Sequence, residues 1–356
     1  MDKRVLCSVR FRAVGDVMVH QRQLDCALQP DGSYDFHLPF QQVKELLRNA
    51  DYTIANLQTT IGTGGERPYS GYPRFSTPET LLDALRDAGV DFLSLANNHI
   101  LDCGVEGLRS TADRAEARGF AFGGIGRTPQ EKERPVVVEI GGIRVGFLCY
   151  TDVMNIISDH ETGTEALARA EASGVITLRK ADFSADVRRA RDAGAEFIIA
   201  LPHWGLEYRR EPEDEVTALA KKMVAAGVDV ILGGHSHMVQ PVEYLSAETA
   251  AGQRKTGLVA YSLGNFISNQ PDRYTDSGII LDFTVCRLRE GGFSIENVRA
   301  LPTYCWRRDD RIQTLCSKKY LDKAPEEMDG DTWLRLKESY AELRELLDES
   351  IPMISR

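Results

Sequence analysis

Short apolar runs alternate with helix-like segments along most of this 356-residue chain, and this alternation restricts the fold more than any other feature. The apolar runs include "YTIANLQ", "EFIIALPHW" and "VDVILGG". Repeated strand–helix units form parallel sheets whose faces are covered by helices. The later segments "GLVAYSLGNFI", "GIILDFTVCRL" and "FSIENVRAL" have no helices between them and predict an antiparallel part. The sequence therefore predicts an α/β fold with mixed sheets and outer helices.

Local signals place several elements. In "TPETLLDALRDAG", a threonine cap, Pro78 in the first turn and a terminal Gly89 predict a helix. Gly141 and Gly142 predict a hairpin turn within "PVVVEIGGIRVGFLCYT". Further helices are predicted at about 41–49, at 105–118, from 181, at 213–227 and at 331–348, whereas 152–174 and "CWRRDDRIQ" are interpreted as a polar loop and a charged turn. We predict one domain over residues 1–300 and a C-terminal extension over 301–356, whose charged amphipathic helix packs on it.

Composition narrows the class of protein. The chain has 43 Lys and Arg against 53 Asp and Glu, so its net charge is -10. This acidity argues against nucleic acid or an anionic membrane as the main partner. The seven cysteines are scattered and form no CxxC, which favours reduced thiols. No apolar stretch is long enough for a signal peptide or a membrane span, so we expect a cytoplasmic protein.

Polar side chains follow four of the predicted strands. They are Asp16, then the run Asn97, Asn98 and His99, then His203, and finally His235 with His237. Since ligands bind beyond the carboxyl ends of strands in open α/β sheets, these side chains are expected to converge. Taken alone, His203 is more simply interpreted as a capped strand end, and Asp16 is as readily a helix or turn cap as a ligand. His235 and His237 together favour a metal site over purely structural roles, because two imidazoles on one loop have few structural uses.

The glycines before the histidine pair support a metal site. Gly233 and Gly234 are expected to let the chain turn tightly and approach a ligand closely. The donor set mixes oxygen and nitrogen, which suits Mn, Zn, Fe, Co or Ni better than Ca or Mg. The sequence therefore predicts a site for one or two divalent transition metal ions.

Six short segments carry a family resemblance. "GDVM", "NLQT", "ANNHILDCG", "HWGLEY", "GGHSHMVQ" and "YSLGNFI" occur in the order and spacing of the CapA/PgsA-like bacterial capsule and poly-γ-glutamate synthesis proteins. The resemblance covers about residues 12–283, and that family belongs to the calcineurin-like metallophosphoesterase superfamily. It implies a four-layer α/β/β/α sandwich with a two-metal cleft at strand ends.

The resemblance also implies roles for individual residues. The implied metal ligands are Asp16, Gln58, Asn98, His203, His235 and His237. His99 matches the catalytic histidine, and Asp102 is expected to orient its imidazole. Residues near the cleft that are expected to contact substrate are Arg74, Asn97, Glu207, Tyr150 and Asn265. For Arg74, however, an exposed arginine on a solvated loop is the simpler interpretation.

Two departures from the family pattern bear on the metal site. Met18 stands where the superfamily has a histidine ligand, as expected for this subfamily. Gln58 stands where the family has a glutamate ligand, so Asp16 is the one ionised ligand in the implied set. Two divalent ions bring four positive charges that this set neutralises poorly. We therefore expect weaker binding at one position, and a mononuclear resting state is one form of that expectation.

Metal-activated water attacking a small anionic or polymeric substrate is the implied chemistry, with a phosphate ester or a γ-glutamyl group as its target. Two alternatives stay open. One is a non-catalytic accessory protein of capsule or poly-γ-glutamate synthesis that works with a ligase-like partner. The other is a metal-binding module that recognises acidic polymers.

Overall fold

A computed structural model of the chain describes residues 4–62, 64, 68–156, 161–347 and 351–353. Its fourteen strands, among these residues, are β1 (Val5–Val17), β2 (Tyr52–Leu57), β3 (Phe92–Ser94), β4 (Ala121–Gly123), β5 (Val136–Ile140), β6 (Ile143–Thr151), β7 (Phe197–His203), β8 (Val230–Leu232), β9 (Val242–Glu248), β10 (Arg254–Ala260), β11 (Asn265–Ile267), β12 (Ser277–Leu288), β13 (Phe293–Arg307) and β14 (Ile312–Cys316). The α-helices are α1 (Gln21–Ala27), α2 (His37–Phe40), α3 (Lys44–Arg48), α4 (Thr80–Asp87), α5 (Gly104–Ala117), α6 (Pro129–Glu133), α7 (Gly163–Ala172), α8 (Phe183–Asp192), α9 (Asp214–Ala226) and α10 (Gly330–Leu346).

The strands form two sheets. The first has the order β14-β13-β12-β1-β2-β3-β4, with β11 also paired to β1, and the second has the order β5-β6-β7-β8-β10-β9. β1 to β4 run parallel to one another, as do β6, β7, β8 and β10. The remaining pairs are antiparallel except for β1 with β11. The predicted mixed sheets are confirmed.

The two sheets face each other across an apolar core. Alternate residues of β1, such as Phe11 and Ala13, point into this core, as do Val145 and Ile199 of the second sheet. The rings of Phe92 and Phe147, one from each sheet, stack with centroids 4.0 Å apart.

Helices cover the outer face of each sheet. In α9, Val216, Ala220 and Met223 form a buried stripe at helical spacing. Gly227 caps the C-terminus of that helix, and its φ of 116° is a left-handed conformation that glycine adopts readily. A second outer cluster includes Leu82 of α4 and packs on the first sheet. The layers are therefore helix, sheet, sheet and helix, which confirms the predicted four-layer sandwich.

Most predicted elements are found. The hairpin turns at Gly141 and Gly142, which both have positive φ. The helix predicted at 331–348 is α10, and its predicted last residue, Asp348, lies outside the described residues. Two interpretations were wrong. Part of the segment read as a polar loop is α7, and "CWRRDDRIQ" contains the end of β13 and the start of β14 as well as a turn.

The C-terminal part shares the first sheet with the rest of the chain. The boundary predicted at residue 300 falls inside β13, and β14 extends the same sheet. Met353 also forms a parallel bridge with Ala300. No helix in the described ranges is both long and apolar enough to cross a lipid bilayer.

Replacing Phe92 with alanine tests the contact between the sheets. Phe92 is fully buried, so Phe92→Ala should lower the free energy of unfolding by about 3–5 kcal/mol through lost contacts and a cavity. Denaturant unfolding measures the change. Leu334→Ala, at an exposed position of α10, is the control and should change stability by less than about 0.5 kcal/mol. Equal effects of the two substitutions would contradict the described core.

Candidate functional site

Asp16 is a fully buried carboxylate near the carboxyl end of β1. Its Oδ1 accepts a hydrogen bond from Asn56 Nδ2 at 2.7 Å. Its Oδ2 lies 3.4 Å from His237 Nδ1 and 3.4 Å from the backbone nitrogen of His235. A buried carboxylate is costly unless such partners replace its hydration. Asp16 thereby joins the end of the first sheet to the loop after β8 in the second.

Four further side chains form a connected set beside Asp16. Asn98 Oδ1 accepts a hydrogen bond from Gln58 Nε2 at 3.0 Å and lies 3.1 Å from His203 Nε2. His203 Nε2 in turn lies 3.1 Å from His235 Nδ1. The structure thus brings together all six residues that the resemblance implies as metal ligands, from strand ends of both sheets.

The loop holding the histidine pair differs from the expectation in one respect. The positive φ angles fall on His235 (96°) and His237 (61°) and not on Gly233 or Gly234. The glycines instead allow close packing, since a Cβ at Gly233 would lie 2.0 Å from the carbonyl oxygen of Tyr261. A Cβ at Gly234 would lie 2.8 Å from Asp16 Oδ1. Two histidines held in a costly backbone conformation are typical of a functional site.

The three histidines differ in protonation. Burial, reinforced by neighbouring imidazoles, holds the pKa of His203 well below its ordinary value and lowers that of His235 to about 4. Burial also opposes a charge on His237, but its hydrogen bonds with Asp16 and Glu207 raise its pKa to about 9. Without a metal, His203 and His235 are therefore neutral at pH 7, and His237 is paired with two carboxylates.

His99 lies next to this cluster, on the loop after β3. Its Nδ1 lies 2.6 Å from Asp102 Oδ2, and both side chains are buried. Asp102 Oδ2 also accepts a hydrogen bond from the backbone nitrogen of Phe75 at 2.7 Å, which fixes the carboxylate. The carboxylate favours the tautomer with the proton on Nδ1, and Nε2 then remains for a ligand.

A cleft of about 1110 Å³ opens beside the cluster. His99, Asp102 and His237 line it, together with Arg74 and Glu207 from the sequence-predicted substrate contacts. Glu207 Oε1 lies 3.7 Å from His237 Nε2, so it adds a second carboxylate to the cluster.

Two other predicted substrate contacts are buried supports. Asn97 is fully buried, donates to the carbonyl oxygen of Leu57 at 2.8 Å and accepts from the backbone nitrogen of His99 at 3.1 Å. Asn265 is also fully buried, with Oδ1 3.2 Å from His237 Nδ1. Both amides hold functional side chains in place and do not line the cleft.

Tyr150 lies away from the cleft. It packs on the helix-covered face of the second sheet and donates a hydrogen bond to Asp186 Oδ2 at 2.7 Å. Side chains alternate between the two faces of the sheet along β6, and Tyr150 points to the face covered by helices. This corrects the prediction that Tyr150 faces the cleft.

Sequence reasoning missed two asparagines. Asn56 bonds Asp16 and also lies 3.3 Å from His203 Nδ1. Asn155 accepts from Asn98 Nδ2 at 3.0 Å, and its own Nδ2 lies 3.0 Å from His99 Nδ1. The position of Asn56 at the end of β2 was a usable signal, because the neighbouring strands also end in polar residues. Asn155 lies four residues after a strand, and no pattern marks it.

The donor spacing fits a metal ion. Ligand atoms about 2.1 Å from one ion lie about 3.0–3.4 Å apart at angles of 90–109°. The distances from His203 Nε2 to Asn98 Oδ1 and to His235 Nδ1, both 3.1 Å, fall in this range. Gln58 Oε1 is buried without a hydrogen-bond partner and is available as a ligand. Within the described ranges, no group of three or more His, Cys, Asp or Glu is arranged to hold a metal, so the fit depends on the two amides.

Comparison with known proteins gives a family match and several relatives. The family described as bacterial capsule synthesis protein PGA_cap matches residues 10–270. The capsule biosynthesis protein CapA of Bacillus anthracis is 27% identical over 291 residues, which is 80% of this chain and 65% of that protein. The PGA biosynthesis protein CapA of Bacillus subtilis is 24% identical and matches 79% of this chain and 69% of its own length. The chain thus spans about two thirds of these relatives.

Two more distant likenesses complete the comparison. A Mycobacterium tuberculosis protein named a probable polyglutamine synthesis accessory protein is 28% identical over 225 residues, which is 59% of this chain and 56% of that protein. The solved structure of the NAD nucleotidase of Haemophilus influenzae covers 98% of this chain and 57% of its own, with 11% identity and a TM-score of 0.44. At that TM-score the likeness adds nothing to what the residues themselves indicate.

Restoring a carboxylate at position 58 should increase metal binding. Gln58→Glu adds a negative charge beside Asn98 and is expected to raise the number of transition metal ions per chain, as measured by elemental analysis of purified protein. Gln29→Glu, which adds the same charge outside the cluster, should leave metal content unchanged. Full occupancy by two ions in both the original protein and Gln58→Glu would contradict the expected deficit.

His20, which also lines the cleft, should make stability depend on pH. Burial is the main cause that lowers its pKa to about 4. Its unfolded pKa is about 6.5, so the unfolded state binds more protons as the pH falls from 6.5 to 4, and up to about 3 kcal/mol of stability is lost. His20→Gln should lose correspondingly less across this interval in denaturant unfolding at several pH values. If His20→Gln lost as much stability on acidification as the original protein, the prediction would be contradicted. His37→Gln, at an exposed position, is the control.

Proposed function

This chain belongs to the family of bacterial capsule synthesis proteins, PGA_cap, and we propose that it is a metal-dependent hydrolase of a phosphate ester or a related anionic substrate, a γ-glutamyl group included. One observation carries the proposal. The His99–Asp102 pair and His237 of the candidate metal cluster line the same cleft. A hydrolase needs a proton donor next to the group that activates water, and this juxtaposition supports that arrangement.

The ligands of the proposed site are Asp16, Gln58, Asn98, His203, His235 and His237. These residues would hold divalent transition metal ions, which would supply a Lewis acid able to activate water and polarise an ester oxygen. Neutral His203 and His235 have no proton to lose before they bind a cation. One ion or two, drawn from Mn, Zn, Fe, Co and Ni, is the proposed complement.

The chain's own residues supply the rest of the chemistry. His99 is the proposed proton donor to the leaving group: its protonated form carries a second proton on Nε2, and Asp102 orients the imidazole through Nδ1. Arg74, which lines the cleft, is a proposed contact for the anionic part of the substrate. Glu207, beside His237, supplies part of the negative charge that Gln58 lacks.

A non-catalytic accessory role in polymer synthesis is the second candidate. The neutral Gln58 within the cluster favours it, because a weakened metal site is compatible with a retained fold and lost turnover. The name of the Mycobacterium tuberculosis relative also supports it, since that protein is described as an accessory protein. A ligase-like enzyme is the partner proposed in this case.

Hydrolysis of chromogenic esters separates these functions. With added Mn²⁺, the protein should hydrolyse bis(p-nitrophenyl) phosphate or p-nitrophenyl phosphate. His99→Ala should reduce kcat by about 10²–10⁴ because it removes the proton donor, and His235→Ala should abolish metal-dependent turnover. His37→Ala, which removes an exposed histidine, should have no effect.

Three other outcomes would count against the hydrolase. Bound metal without turnover, together with capture of a ligase-like partner, would support the accessory role. Metal-dependent retention on an acidic polymer column without turnover or a protein partner would support a binding module. Turnover that survives both histidine substitutions would exclude the proposed site.

A further inference from the structure

The mouth of the cleft is unusually apolar for a site with a polar floor. Ten large apolar side chains are strongly exposed among the described residues, and four of them line this cleft. They are Tyr72, Val105, Ile156 and Tyr208, which we call the apolar rim, with exposed fractions of 73%, 38%, 56% and 46%. Exposed apolar side chains gathered around a cleft mark a binding surface, whereas scattered ones are ordinary.

Tyr208, a member of the apolar rim, is held in place by several contacts. Its backbone has a φ of 62°, and its amide donates to the carbonyl oxygen of Ser236 at 2.8 Å. Its hydroxyl accepts a hydrogen bond from Gln270 Nε2 at 3.2 Å, and its ring centroid lies 5.9 Å from that of His237. The ring is thus held beside the histidine cluster by a backbone in a strained conformation, and it is placed to contact the body of a bound molecule.

The charges of the cleft do not suit a polyanion. Among the described residues that line it, the cations Arg74 and Arg169 are balanced by Asp102 and Glu207, and His237 is paired with the buried Asp16. Arg169 is also paired with Glu161 at 2.9 Å. A groove for an acidic polymer needs an excess of cations along its length, and the whole chain carries a net charge of -10.

We propose that the cleft takes a small ester with a single anionic group at the histidine cluster and an apolar, aromatic body against Tyr208 and Tyr72, and that it does not take an acidic polymer. The inference rests on the proposed function for the position of the anionic group. Because the ring centroids of Tyr208 and His237 are 5.9 Å apart, the body of such a ligand lies next to His237. The apolar rim shields it there from water.

Binding of two phosphonates tests this inference without turnover. Phenylphosphonate and methylphosphonate share the anionic group and differ in the aromatic body. In isothermal titration of the protein with added Mn²⁺, phenylphosphonate should bind about tenfold more tightly, because burial of a ring adds apolar contact. In the double variant Tyr72→Ser and Tyr208→Asn, the preference should fall below about threefold. Asparagine is chosen at 208 because it tolerates a positive φ.

Leu6→Ser is the matched control. Leu6 is 51% exposed and lies ten residues before Asp16 on β1, about 30 Å away along the strand. This substitution should keep the tenfold preference. Equal binding of the two phosphonates, no binding of either, or a preference that survives in the double variant would overturn the inference. Stronger competition by a γ-linked glutamate oligomer than by phenylphosphonate would also overturn it.

Ester hydrolysis, measured in parallel, separates this inference from the proposed function. A preference for phenylphosphonate without hydrolysis of any ester would support the inference and contradict the proposed hydrolase function. Hydrolysis without that preference would leave the hydrolase and overturn the inference.

Discussion

The buried carboxylate of Asp16 is the interaction on which the candidate site depends. It lies at the end of the central strand of the first sheet, and its partners come from β2 and from the loop after β8 of the second sheet. Because a carboxylate without partners is strongly disfavoured in a protein interior, these contacts fix how the two loops meet. The convergence of the histidines is therefore built into the packing of the two sheets.

Much of the fold followed from sequence because local and global signals agree. The helix stripe of α9 and the paired glycines of the β5–β6 hairpin are each readable without tertiary information. α7 was missed although Thr162 and Glu165 form a capping box, which is a sequence signal in its own right. β14 was missed because its strand lies beside a dense run of charges that dominates the local composition.

Only part of the candidate site could be predicted from the sequence. Charged and imidazole side chains at strand ends are conspicuous, so the histidines and Asp16 could be singled out. Asn56 and Asn155 carry neither charge nor periodicity, and their importance comes from hydrogen bonds across 40 to 147 residues of sequence. Glu207 was singled out, but its closeness to His237 depends on how the loop after β7 folds back. Such long-range contacts are properties of the assembled sheets.

At His235 and His237, the residue type that would be best for folding differs from the residue type that a metal site needs. Glycine or asparagine adopts such a conformation at lower cost, so stability alone would favour replacing both imidazoles. During divergence of such chains, a copy released from its biochemical task would be expected to lose these two side chains early while keeping its architecture. A chain that carries both imidazoles in this conformation therefore accepts a cost in folding stability at that loop.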